Sequence, residues 1–346
     1  MKMASLSICG SRWRRLTVPL LVALAGLATP AIIFEVDVTT AGADGVAFVS
    51  SRILFFAAGD GIYRSTNGGK SWKRQYRANK KSHLRAVDFV DARHGWAVGN
   101  NGLILSTKDG GRHWVRRKSG TRRDLVDVDF IDRRHGWVVG QQTIVLGTTN
   151  GGKKWKRQLM PPQSRYEFGE AVCFFSRSVG LVAGFGYGGA ASKSLYRTVN
   201  GGQRWSPKPS GAWGGFTDID ASGRFGCAVG YAQYETGSHA PICMTTDRGK
   251  TWRVCALPWP AALYRVDLVG SKAVFAVGAD NEWTSDRSRL FRSRDAGATW
   301  QRVDLTVASA LSVSGIHFTS GSRGVLVTSK RATYVTSNGG DSWRRR

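Results

Sequence analysis

Several side chains able to do chemistry recur along this chain at one repeated position. Asp88, Asp129, Asp220 and Asp267 share that position, and Cys173 and His317 take it in other copies. Paired carboxylates are the usual machinery of glycoside hydrolysis. A carboxylate repeated beside a turn is, by contrast, a turn cap, and we read these four that way. His94 and His135 also recur, each directly before a glycine. Imidazoles on neighbouring repeats are potential metal ligands. No third ligand repeats with them, so they read as turn residues, and no metal site and no cofactor is expected. Cys173, Cys227, Cys243 and Cys255 are not spaced as a zinc site. Cys243 and Cys255 flank one turn symmetrically, which leaves a cross-strand disulfide and buried free thiols as alternatives.

The charge is the strongest signal of function. Lys and Arg total 50 against 24 Asp and Glu, a formal net charge of +26 in 346 residues. Such an excess favours acidic partners: an acidic protein, a polyanion or an anionic surface. Its meaning depends on where the fold puts it.

An octapeptide of the form [ST]-x-[ND]-x-G-x-x-W occurs seven times, beginning with STNGGKSW at Ser65 and ending with TSNGGDSW at Trp343. The closing tryptophans are 41 to 50 residues apart, about one four-stranded propeller blade. Each position has a physical role. The Asn or Asp accepts backbone N–H groups just downstream, and the glycine takes positive φ without a Cβ clash. The hydroxyls satisfy backbone groups within the turn, and the tryptophan brings a large apolar face that anchors neighbouring repeats. Before each box lies a strand–turn–strand segment, clearest in LRAVDFVDARHGWAVG (Leu84–Gly99) and DLVDVDFIDRRHGWVVG (Asp124–Gly140). Each repeat thus becomes a meander of strands A to D, apolar on both faces, as sheets stacked in a closed ring require. The expectation is an all-β, seven-bladed β-propeller over residues 44–346, in one domain.

In such a meander the A–B and C–D turns emerge at the same end. The A–B turns carry Arg93, Arg133, Arg134, Arg177 and Arg224, and the C–D turns carry Arg112, Lys153, Lys154 and Arg204. One end of the ring should therefore be strongly positive. The D strands are basic too, as at Lys73-Arg74 and Arg116-Arg117, and we read those residues as guards of exposed strand edges. At the opposite end, glycine-rich loops gather Tyr187, Trp213, Tyr231, Tyr234, Trp259 and Trp283. Loops of that composition on a rigid scaffold suit a peptide or a sugar, so they form the alternative binding site.

The N-terminus differs from the rest. A basic start is followed by LTVPLLVALAGLATPAIIF, whose apolar core between Pro19 and Pro30 is short for a membrane span. Residues 1–31 read as a secretory signal peptide, with an uncleaved anchor as the alternative. Residues 32–43 are a linker or a strand that closes blade seven. The mature chain is then expected to be exported, into the periplasm or a comparable lumenal compartment.

The boxes together with F-x-D-x-x-H-G-W-x-V-G resemble the photosystem II stability/assembly factor family, whose members are exported seven-bladed propellers with BNR (Asp-box) repeats. That likeness implies a non-enzymatic assembly chaperone that binds membrane-protein precursors through an arginine-rich patch. The expected partner is a membrane-protein precursor or another acidic client, with anionic polysaccharide or lipid headgroups as further candidates, and the expected state is a monomer. A polyanion- or glycan-binding propeller is the alternative. A sialidase-like hydrolase fits less well, because no R-I-P motif is present and no carboxylate pair can be assembled.

Overall fold

In a computed structural model, the described residues are 45–79, 82–161, 167–186, 195–212, 214–231, 240–259, 261–279, 288–305 and 313–346. They form seven four-stranded antiparallel sheets, each with its strands in sequence order. The blades span residues 46–77, 84–117, 125–157, 167–208, 215–254, 262–304 and 313–345. The expected seven-bladed propeller is the observed fold.

The strands are apolar on both faces because both faces are covered. In blades one to three every residue of strand B is buried: Leu54–Ala58, Gly95–Gly99 and Gly136–Gly140. The core is accordingly not one cluster but one per joint. Phe55, Leu84 and Phe89 pack between blades one and two, and Trp96, Phe130 and Leu146 between two and three. The last joint closes through Val46, Phe56, Tyr63 and Val327. Ring stacking reinforces four joints, with Phe55 on Phe89, Trp96 on Phe130, Trp137 on Phe174 and Phe275 on Phe318. Each stacked pair is worth about 0.5–1.5 kcal/mol beyond its burial. The glycine that opens strand B lets the ring of its own strand A lie flat: a Cβ on Gly136 would come within 2.4 Å of Phe130.

All seven boxes share one hydrogen-bond set. In blade three Thr148 Oγ1 accepts the Gly152 N–H (3.0 Å) and donates to Asn150 Oδ1, which in turn accepts the Lys154 N–H (2.9 Å). Gly151 and Gly152 both have positive φ, as the box requires. Five of the seven box tryptophans stand edge-on to a phenylalanine, as Trp155 does to Phe130 at 88°. Trp205 and Trp300 are buried and the other five half-buried.

The two alternatives for Cys243 and Cys255 are now decided. Cys243 pairs across the sheet with Val254, not with Cys255. Successive residues of a strand point to opposite faces, so Cys243 packs toward blade four and Cys255 toward blade six. Both are free thiols, and burial pushes the Cys243 thiol up to about 12. Blade seven is completed by its own fourth strand, Arg344–Arg345. Residues 32–43, considered above as a closing strand, lie outside the described residues, as does the segment 1–31.

Candidate functional site

The four repeated aspartates are not turn caps. Each is buried and reaches across a joint. Asp88 Oδ2 accepts the Phe130 N–H (2.8 Å), Asp129 that of Phe174, Asp220 that of Leu268 and Asp267 that of Phe318. Asp127 and Asp218 do the same two residues earlier, for Val172 and Val266. The inner edge of a propeller leaves strand A N–H groups without a ladder partner, and the preceding blade supplies a carboxylate to accept them. This use gives the four a structural role at the joints. Burial raises Asp218 to about 7 despite the nearby Arg265 charge, and raises Asp220 well above the ordinary range, aided by the Asp267 charge.

The D-x-x-H-G-W motif is a second inter-blade device. Asp91 Oδ1 accepts the N–H groups of Arg93 and His94, and the His94 ring nitrogen Nδ1 lies 3.0 Å away. Asp132 repeats the arrangement with Arg134 and His135. Both carboxylates then meet an arginine of the next blade, Asp91 with Arg133 (2.7 Å) and Asp132 with Arg177 (3.0 Å). Partial burial opposes ionisation, but the backbone N–H groups, the imidazole and the arginine outweigh it. Asp91 falls well below the usual carboxylate range and Asp132 to about 2. The indole N–H of Trp96 donates to Gly151 O and that of Trp137 to Gly201 O, each in the next blade's box. His94 and His135 are turn residues tied to their own aspartates, and no metal-binding group of three occurs among the described residues.

One end of the ring is defined by seven equivalent hydrogen bonds. In every blade a box N–H donates to a carbonyl of that blade's A–B turn: Gly68 to Arg52, Gly110 to Arg93, Gly151 to Arg134, Gly201 to Ser178, Arg248 to Arg224, Ala296 to Lys272 and Gly339 to Ser322. The two basic turn sets therefore lie together. Arg93, Arg112, Arg133, Arg134, Lys153, Lys154, Arg177, Arg204 and Arg224 are all exposed there. Arg133 and Arg177 are partly spent on the inter-blade pairs. The box carboxylates at this end are committed as well: Asp109, Asp247 and Asp295 each accept a box N–H.

The opposite end is described only in part. Tyr187, Trp213, Tyr234 and Trp283 lie outside the described residues. Tyr231 stands against Phe185 and Tyr264, from the two flanking blades, with centroids 4.9 and 6.5 Å away. Trp259 does not join that cluster. It packs on the core between blades five and six, under the Arg302 guanidinium at 5.7 Å.

A family model described as "Photosynthesis system II assembly factor YCF48" matches residues 74–230. Those residues include both HGW motifs and the whole of blades two to four. The matched stretch, less than half of the chain, is similar to the photosystem II assembly factor family. Among solved structures the chain is similar to YCF48 bound to a D1 peptide, at 19% identity and TM-score 0.57, covering 77% of this chain and 82% of that one. It is similar to YCF48 from Cyanidioschyzon merolae at 19% identity and TM-score 0.58, covering 77% and 85%. An ancestral GH74 enzyme shares 12% identity at TM-score 0.51, covering 88% of this chain but 54% of that one. At such identities these structures speak for the fold alone. No curated protein matches the chain.

Proposed function

We propose that the chain is an exported, non-enzymatic scaffold that holds a membrane-protein client, or another acidic client, on its basic end. The observation that carries this reading is the set of seven box-to-turn hydrogen bonds, which gathers two independent series of Arg and Lys on one surface. Like charges held so close repel one another and cost stability. An acidic partner offsets that cost, and the Arg guanidinium is suited to bidentate capture of carboxylates. The family adds support through a relative solved with a D1 peptide. Periplasm or a lumen-like compartment is the location that suits the basic, apolar N-terminal segment.

The test is capture from detergent-solubilised membranes. Wild-type protein should retain integral membrane proteins and release them as salt rises. Reversal of Arg93, Arg134, Lys154 and Arg224 to Glu should abolish retention while the melting curve is kept. Undiminished capture by that variant would overturn the assignment of the basic end.

A further inference from the structure

The outer edge of the ring carries a second positive surface, distinct from the basic end and distributed unevenly. Four consecutive blades, seven, one, two and three, have outer strands reading RR (Arg344–Arg345), KRQYR (Lys73–Arg77), VRR (Val115–Arg117) and KR (Lys156–Arg157). These strands hold nine basic residues and no acidic one. The other three outer strands read SPK (Ser206–Lys208), RV (Arg253–Val254) and QRVD (Gln301–Asp304), with three basic residues and one acidic. Edge protection needs only one charge or a proline per strand, and blades four to six are protected that way. The surplus is confined to one continuous arc. Arg74 faces Asp60 at 3.9 Å and Arg117 donates to Ser106 Oγ. Lys73, Arg77, Arg116, Lys156, Arg157, Arg344 and Arg345 have no carboxylate within ion-pair distance among the described residues.

From this arc we infer a binding belt for a flexible acidic polysaccharide, laid along the outer rim of blades seven, one, two and three. Shape decides between polyanions. Seven blades set neighbouring outer strands about 51° apart, so four strands span about 154°. A flat anionic bilayer touches only a small part of such an arc. A nucleic-acid duplex, with a persistence length of about 50 nm, resists bending around a body whose radius of gyration is roughly 2 nm. Single-stranded nucleic acid is held by aromatic stacking, and no Phe, Tyr or Trp is exposed among the described residues. An acidic peptide adds to a sheet edge along one strand, whereas the belt crosses four. A carboxylated glycan chain bends freely, needs no stacking platform and meets each basic strand in turn.

Polygalacturonate is the probe, followed by fluorescence anisotropy or calorimetry at several salt concentrations. Changing Arg77, Arg116, Arg157 and Arg345 to Glu should weaken its binding at least tenfold and flatten the salt dependence, while membrane-protein capture at the basic end is unchanged. The parallel neutral set, each residue to Gln, covers the case in which the reversed protein melts early. Reversing Arg93, Arg134, Lys154 and Arg224 should leave the polygalacturonate affinity within about twofold, so the two surfaces fail or stand separately. The belt is overturned if that set, or Lys208, Arg253 and Arg302 reversed together, weakens polygalacturonate as much as the rim set does. It is also overturned if duplex DNA, poly-glutamate or phosphatidylglycerol vesicles bind the rim as tightly as polygalacturonate.

Discussion

At the residue scale, the chain uses the same side chain in opposite electrostatic settings. Asp91 and Asp132 are held ionised by N–H donors, an imidazole and an arginine, with Asp132 near 2. Their stabilising effect is present above the ordinary carboxylate pKa and is lost as pH falls through the depressed folded values. Asp218 is the reverse case, raised to about 7 by burial. Between about 4 and 7 the folded state holds a proton that the unfolded state releases. Its contribution is complete below the unfolded pKa and disappears as pH rises through about 7. Asp218→Asn keeps an oxygen to accept the Val266 N–H and removes the titration. The wild-type melting temperature should therefore drop more from pH 5.5 to 8 than that of the variant, and an identical drop would remove Asp218 as the cause. The box tryptophans separate packing from polarity. The indole N–H of Trp155 is buried with no acceptor among the described residues. Trp155→Phe should cost less than about 1 kcal/mol, whereas Trp155→Ala should cost about 3–5 kcal/mol in chemical denaturation.

At the scale of the element, the box and strand B were readable because their demands are local. Glycines at positive φ, a hydroxyl two residues before Asn or Asp, and a closing tryptophan all act within eight residues. The aspartates of strand A were not readable in the same way. Their acceptor role depends on an N–H some 42 to 51 residues away in the next blade, which spacing within one repeat does not reveal. Symmetry about the turn could not decide between a disulfide and free thiols at Cys243 and Cys255, since it ignores the register that opposes Cys243 to Val254. The basic end was legible from topology, but the use of Arg133 and Arg177 as partners of Asp91 and Asp132 was not. Trp137 joins two elements, stacked on Phe174 and bonded to Gly201 O. Trp137→Phe should lose the hydrogen bond and keep the stack, at about 1 kcal/mol. Trp137→Ala should lose both and lower the melting temperature several times as far. Equal shifts for the two variants would mean that stacking contributes nothing at this joint.

At the scale of the whole molecule, stability resides in seven joints rather than in seven blades. Each apolar cluster is shared by neighbours, and the last is closed by blade seven against blade one, where Arg346 donates to Ser51 O and Gly68 O. A chain ending at residue 312 should therefore show no cooperative melt rather than behave as a six-bladed ring, and far- and near-ultraviolet circular dichroism would decide it. A rigid ring also fixes its two ends far apart, which makes the central claim directly testable. A photo-crosslinking amino acid is placed at Lys154, on the basic end, and in a second protein at Tyr231, on the opposite end, and each is irradiated with solubilised membranes. Client adducts are expected from position 154 and none from position 231. Adducts from position 231 alone would contradict it.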